Sequence, residues 1–504
     1  MGRFTRSGAQ WSPYEFNEQA PTEVVQTEVS LSPHISKALW NSDNRAVAAE
    51  ALVDSDIIVL ENFEDQDEEW EDEEPVLSRP PTPFSRAPSP LTPLTRSPSP
   101  SVESAPMVSV SVPGYKGRQS RGHKARRQKK RVADAPTFGP LPQKRHSQRY
   151  REERPNTTTF RVTNIRSSGN GGWNGPRPSQ KTATMRRVKE LLDNGCRIVE
   201  WDGWSYRNPK LIVDANGHIV AILLGRPEGG DWDEAIWEME NILEAVRKRG
   251  MSRGILKQKD RRHRRGDFHV LRGGITKGPG QKKPGNLAHS KARRKLVHFI
   301  TSNFHVGRIA GFQSSGFAHY APKLYEYYYN TLHGLYKKQP ELEQLFHNSI
   351  FPTASFNLGP DVVTPEHLDM LNLPHGMCAI TSGGQFDYKR GGHLFMKQLN
   401  ILCEFPSGST ILLLSGSCEH GNTPIAKTET RYSMTQYAAG ALFRWAAYGY
   451  QSTKSLLAQP GGEAMKQDAD GDREARAIGL LSKVSELDAD REAVFARLRS
   501  QNAL

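Results

Sequence analysis

EFPSGSTILLLSGSCEHGNTPIAKTETRYSMTQY (404–437) alternates two kinds of text. Apolar, β-branched runs (STILLLS, RYSMTQY) are separated by Gly, Ser, Pro and Asn, the pattern of short strands joined by tight turns. Upstream, MCAIT (377–381) and QLNILCEF (398–405) repeat the pattern, and ALFRW (441–445) reads as one more short strand. Several such runs in so short a stretch predict a sandwich or a small barrel.

Three groups in and around these strands have the spacing of a metal site. His367-Leu368-Asp369 places an imidazole and a carboxylate at i and i+2, on one face of a strand. His420 follows STILLLS. Two histidines and one carboxylate form the facial triad that holds Fe(II) and leaves positions open for a co-substrate and O2. Arg431, eleven residues after His420, opens RYSMTQY and shares a strand face with Ser433. A guanidinium grips a planar carboxylate through two parallel bonds, and a hydroxyl can add a third. That is what the far carboxylate of 2-oxoglutarate requires. His375 and His393 lie nearby, but neither stands in a His-x-Asp step or follows the ILLLS strand, so both read as structural or base-contacting. Cys378, Cys403 and Cys418 read as small core residues, with Cys418 on the strand parity of His420.

HLD (367–369), HGN (420–422) and RYS (431–433), in this order, resemble the Fe(II)/2-oxoglutarate dioxygenase superfamily. SIFPTASFNLGP (349–360), CAITSGGQFDYKRGGHL (378–394), EFPSGSTILLLSGSCEHGNTPI (404–425) and RYSMTQYAAGALFRW (431–445) resemble its fungal, especially basidiomycete, members. Those are grouped with the ten-eleven-translocation and J-binding-protein branch. IVDANGHIVAILLGRP (212–227) and GGITKGPGQKKPGN (273–286) resemble upstream parts of the same fungal proteins, so the resemblance spans roughly residues 195–450. It implies an α+β fold whose catalytic core is a double-stranded β-helix (jelly-roll) with flanking helices. It also implies oxidation of methyl groups on nucleobases, chiefly 5-methylcytosine or thymine in DNA. By position, His367, Asp369 and His420 would bind Fe(II), Arg431 and Ser433 would bind 2-oxoglutarate, and Asn372 would touch the base. Two alternatives stay open: the same chemistry on RNA, N-methyladenine or protein, and a catalytically inactive nucleic-acid-binding module.

Further elements precede the strands. MRRVKELLDNG (185–195), DWDEAIWEMENILEAVRKRG (231–250) and APKLYEYYYNTLHGLYKK (321–338) have helical periodicity. In the last, Leu324, Tyr328, Leu332 and Leu335 form a core stripe, and the tyrosines 325–329 read as core packing rather than base-stacking groups. PKLIVDANGHIVAILLGRP (209–227) reads as a hairpin closed by a type I′ turn at Asn216-Gly217. RGGITKGPGQKKPGN (272–286) reads as a loop, and Pro279, where a phosphate-binding loop requires Lys, excludes that motif. One helix is expected over 474–498.

The chain has 504 residues and a net charge of +13, which favours a polyanionic partner. Its 36% apolar content, below the roughly 45–50% of globular domains, points to a substantial unfolded portion. Residues 1–155 account for it, with ten acids in 61–74, nine prolines in 75–100 and nine Lys/Arg in 116–131. The organisation expected is therefore a disordered tail (1–155), a dioxygenase domain with an N-terminal α/β extension (156–455), and a linker with a C-terminal helix (456–504). KARRQKKR (124–131) reads as a nuclear-import address or a nucleic-acid arm, against the plainer reading of a solvated charge run. Ten Lys/Arg in 247–265 and the basic loop 277–283 are predicted to hold phosphates. Four cysteines without CxxC spacing exclude a disulfide scaffold and a zinc finger. With neither a secretory signal nor a membrane-spanning apolar run, a soluble nuclear protein is expected.

Overall fold

The apolar runs pair into two sheets that share one core. The computed structural model describes residues 156–165, 171–176, 184–201, 209–227, 231–278 and 280–502. The acidic, proline-rich and basic blocks, KARRQKKR (124–131) included, lie outside the described residues. The strands are β1 (Asn156–Thr157), β2 (Arg197–Val199), β3 (Lys210–Val213), β4 (Ile219–Gly225), β5 (Arg262–His263), β6 (Gly266–Asp267), β7 (His269–Thr276), β8 (Gly285–Asn286), β9 (Thr353–Leu358), β10 (Cys378–Gly383), β11 (Leu394–Met396), β12 (Ile401–Cys403), β13 (Thr410–Leu413), β14 (His420–Asn422) and β15 (Tyr432–Tyr437).

Nine strands form one sheet in the order β1-β3-β4-β13-β10-β15-β9-β7-β8, antiparallel except for β1 beside β3. A second sheet runs β14-β11-β12-β2, with only β12 and β2 parallel. β5 and β6 make a separate hairpin with Arg264 and Arg265 at its turn. The fold is thus α+β with large antiparallel sheets.

Strand alternation assigns the faces of the large sheet. Thr381 in β10 pairs across the ladder with Met434, and Ser382 pairs with Ser433. The Thr381 face meets the helix Phe304–Tyr320, where the Gln313 amide donates to the Thr381 hydroxyl at 2.8 Å. Ser382 and Ser433 therefore point the other way, toward the second sheet. That sheet's inward residues Leu394, Met396, Ile401 and Cys403 join the main core. Its outward Phe395 and Leu402 are covered by Leu191 of the helix Val188–Asp193.

A buried polar network ties the helix Phe304–Tyr320 to the sheet. The Gln436 amide donates to Gln313 Oε1 at 2.8 Å, Ser349 donates to Gln436 Oε1 at 2.8 Å, and the Thr381 and Thr410 hydroxyls lie 2.6 Å apart. Gln313→Leu would strand hydrogen-bonding groups from which water is excluded. We expect a loss of about 2 kcal/mol, measured by urea unfolding. An unchanged midpoint would show that the network contributes nothing.

The helices expected at 231–250 and 321–338 form as Asp231–Ser252 and Pro322–Lys338, and Leu324, Tyr325, Tyr328, Tyr329, Leu332 and Leu335 are all buried. Four expectations need correction. ALFRW is helical, within Gly440–Ala447, because alanine-rich flanks favour the helix and Leu442, Phe443 and Trp445 still reach the core. The turn after β3 is not type I′: Gly217 takes φ +83° but Asn216 does not take a positive φ, and Asp214 Oδ1 accepts the backbone N–H groups of Asn216 and His218. Arg272–Thr276 lies in β7 rather than in a loop. The single helix expected over 474–498 is two, Arg473–Gly479 and Leu487–Asn502, and Leu481, Leu487, Val494 and Leu498 are buried in the main core. Among the described residues no helix is long and apolar enough to cross a membrane.

Candidate metal centre and co-substrate pocket

His367, Asp369 and His420 converge, and their ligand atoms all lie within 4.8 Å of one another. The convergence does not come from a strand carrying HLD, as the sequence suggested: only His367 makes a bridge. His367 makes a single antiparallel bridge to His420, the first residue of β14, through reciprocal backbone bonds of 2.9 Å. Asp369 is fixed separately, its N–H donating to the Ser415 carbonyl at 3.0 Å.

The tautomers follow from the local backbone. His367 Nδ1 donates to the Pro365 carbonyl (2.9 Å), and His420 Nδ1 donates to the Cys418 carbonyl (2.8 Å). An imidazole whose Nδ1 carries the proton presents Nε2 as a lone-pair donor. Those Nε2 atoms face Asp369, at 3.7 Å from Oδ1 for His367 and 4.0 Å from Oδ2 for His420. Burial, with the neighbouring His420, pushes His367 down to about 3, and burial also lowers His420. Both rings are therefore neutral at physiological pH, as metal ligands must be. Burial would raise the Asp369 carboxyl, but Arg265 and the surrounding imidazoles outweigh it and hold Asp369 below the usual carboxylate range. Two neutral imidazoles and one ionised carboxylate suit a divalent first-row metal.

Arg265 is the residue sequence reasoning missed. Its guanidinium donates to Asp369 Oδ1 at 2.7 Å from the turn between β5 and β6, and Arg264 donates to the Leu368 carbonyl at 3.3 Å. The basic stretch 247–265 is thus only partly available to phosphates. Arg247 pairs with Glu244, Arg261 with Asp267, and Arg265 with Asp369. Lys259 and Arg262 remain exposed on the same segment. In the loop 277–283, Lys283 pairs with Glu341 and Lys277 lies over the Trp445 ring.

Arg431 stands immediately before β15 and is 1% exposed. One nitrogen donates to the Val362 carbonyl (2.9 Å) and to Asn422 Oδ1 (3.3 Å), while Nε is buried with no partner. Phe386 and Phe405 flank the guanidinium at 5.9 and 5.6 Å. Burial pulls its pKa down to about 10, so it stays charged at neutral pH. Among the described residues no carboxylate pairs with it. An unpaired buried charge costs several kcal/mol unless something compensates it. Asn422 lies two residues along β14 from His420 and on the same face, about 7 Å away by strand rise. The three candidate metal ligands and the guanidinium without a counter-charge are thus set at opposite ends of one short strand.

Ser433 accepts a bond from the Asn357 amide at 2.8 Å. Across the ladder, the Ser382 hydroxyl is fully buried and unpartnered, as is His393 Nε2. Asn372 is buried, its amide donating to Ser415 Oγ at 3.0 Å and lying 3.4 Å from Asp369 Oδ2. Gly384 makes room for this arrangement. With φ +113°, it sits where a Cβ would come within 2.7 Å of the Arg431 Cα. Cys378, Cys403 and Cys418 are buried core thiols, and it is the Cys418 carbonyl, not its sulfur, that serves His420.

No family model matches the chain, and no curated protein matches it. Among solved structures it is similar to NgTET1 in complex with 5mC DNA, at 16% identity over 50% of this chain and 91% of that one, with a TM-score of 0.30. It is also similar to an oxidoreductase of the 2OG-Fe(II) oxygenase family from Burkholderia pseudomallei, at 12% identity over 43% and 93%, with a TM-score of 0.21. At such scores, what this chain can do is read from its own side chains.

Proposed function

We propose that the protein is an Fe(II)/2-oxoglutarate-dependent dioxygenase acting on a methylated nucleobase, most readily 5-methylcytosine in DNA. The observation that carries the reading is the charged, buried and unpaired Arg431, held through Asn422 on the strand that bears His420. A dicarboxylate satisfies both ends: one end chelates beside the triad and the other neutralises the guanidinium.

In this reading His367, Asp369 and His420 hold Fe(II), and Arg431 grips the distal carboxylate of 2-oxoglutarate, with Ser433 and Ser382 adding hydroxyls. The bound ion, co-substrate and O2 together supply oxidation of a C–H bond, releasing succinate and CO2. Arg265 holds one oxygen of Asp369, so the carboxylate presents the other inward. Phe386 and Phe405 keep water from the guanidinium, which strengthens its grip on an anion. Asn372 holds the Asp369 side chain and is assigned the contact with the target base. The core architecture we assign is the double-stranded β-helix.

The nucleic-acid target rests on the basic character of the chain and on where one basic segment lies. The turn that sends Arg265 to Asp369 belongs to the segment exposing Lys259 and Arg262, so phosphate contacts would form beside the metal centre. A base in duplex DNA must leave the stack to reach so enclosed a centre. Nuclear import through KARRQKKR (124–131) fits this role.

The test is succinate release with Fe(II) and 2-oxoglutarate, using a 5-methylcytosine duplex, the unmodified duplex and no polymer. Stimulation by the methylated duplex alone is expected. Equal release in all three would keep the chemistry and reject the DNA target. No release from iron-loaded protein would favour the inactive binding module.

A further inference from the structure

The helix Lys291–Thr301 carries a charge pattern that neither its own stability nor the core explains. Its inner face, Leu296, Val297 and Ile300, is buried, and Ser290 caps its start by accepting the Arg293 N–H at 3.3 Å. On the opposite side Lys291, Arg294, Lys295 and His298, at i, i+3, i+4 and i+7, form one exposed stripe about 10 Å long. Between Phe268 and Tyr325 the chain has ten Lys/Arg and no Asp or Glu, so no acid of this stretch tempers the stripe.

Two features set it apart from an ordinary solvated face. Solvated helix faces interleave both signs of charge, whereas here like charges stand three and four residues apart, which destabilises a helix. Lys291, Arg293 and Arg294 also crowd a first turn that holds no acid, against the positive end of the helix dipole. An anion laid along the stripe relieves both costs. Its place in the fold adds a third observation. Arg293 turns off the stripe, donating to Asp260 at 2.5 Å and to the Ile255 carbonyl at 3.4 Å. The helix is thereby clamped to the segment that exposes Lys259 and Arg262 and runs on into the hairpin whose Arg265 donates to Asp369.

We propose that this stripe grips a nucleic-acid backbone, as a second phosphate-binding surface joined to the one beside the metal centre. The choice of partner rests on the nucleic-acid part of the proposed function, and the surface itself needs none of the oxygenase chemistry. An exposed helix face encloses no small anion, but a linear polyanion meets all four groups at once. An anionic membrane fits less well: an interfacial helix inserts its apolar face, and here that face is buried in the core. Phe299, four residues past Lys295 and 40% exposed, flanks the stripe and can lie against a sugar or an unstacked base. Contacts of this kind fix the duplex in place without reading its sequence.

Fluorescence anisotropy of a labelled duplex with the full chain, without iron or 2-oxoglutarate, tests it between about 50 and 200 mM salt. The triple variant Lys291→Gln, Arg294→Gln, Lys295→Gln should bind methylated and unmodified duplexes alike at least about tenfold more weakly, and its slope of log affinity against log salt should be shallower by about 2–3. His420→Ala should bind as wild type does, which keeps this result apart from failure of the metal centre. Melting curves identify a misfolded variant; if the triple variant fails to fold, Arg294→Gln alone should flatten the slope by about 1. Wild-type affinity and slope in the folded variant overturn the proposal and leave the nucleic-acid reading standing. No duplex binding by wild type overturns both. A triple variant that loses binding to phosphatidylserine vesicles but not to the duplex overturns it in favour of a membrane.

Discussion

His420→Ala is expected to purify without iron and to release no succinate, while keeping its fold. Wild type should carry about one iron per chain, as a three-ligand site does. The substitution removes one of three donors and nothing from the ladder, because β14 pairs with β11 through backbone groups alone. It also deletes a buried ring whose side-chain partners among the described residues are the Cys418 carbonyl, Asp369 and His367. Metal analysis by mass spectrometry, read beside a melting curve, separates loss of the ion from loss of the fold. Iron retained at wild-type stoichiometry would mean that the ion, if any, sits elsewhere.

Arg431→Met should do two opposite things. Without ligand, the variant is expected to be more stable than wild type by about 1–3 kcal/mol, because an unpaired buried cation gives way to an apolar chain of similar length. Toward 2-oxoglutarate it should lose at least about 30-fold in affinity, the lower end of what removing one partner of a buried charge pair costs. The opposed signs are diagnostic. A structural arginine would destabilise when removed, and a surface arginine would do neither. Thermal melts with and without 2-oxoglutarate read both effects, and a variant less stable than wild type without ligand would contradict the expectation.

The core of this site was legible because its chemistry is local in sequence. A His-x-Asp step, a histidine after an apolar strand and an arginine opening the next strand are short-range patterns, and the structure brings the three metal-ligating candidates together. What escaped is long-range. Arg265 meets Asp369 across 104 residues, and nothing in a run of arginines says which of them turns inward. Ser382 joins the pocket only because ladder register sets it opposite Ser433. Gln313 looks like any polar residue in a helix until both sides of that helix are covered. ALFRW failed for a related reason: five residues of apolar text carry no period long enough to tell helix from strand. The C-terminal segment was read as one helix because a charged, alanine-rich run hides the Leu480–Leu487 break that lets Leu481 and Leu487 enter the core.

The most direct test of the central claim is calorimetric titration of 2-oxoglutarate, under argon and with Fe(II) supplied in the buffer, into wild type, His420→Ala and Arg431→Met. One ligand held at both ends requires each substitution to weaken binding by at least about 30-fold. Binding that survives both substitutions would contradict a dicarboxylate bridging the triad and Arg431.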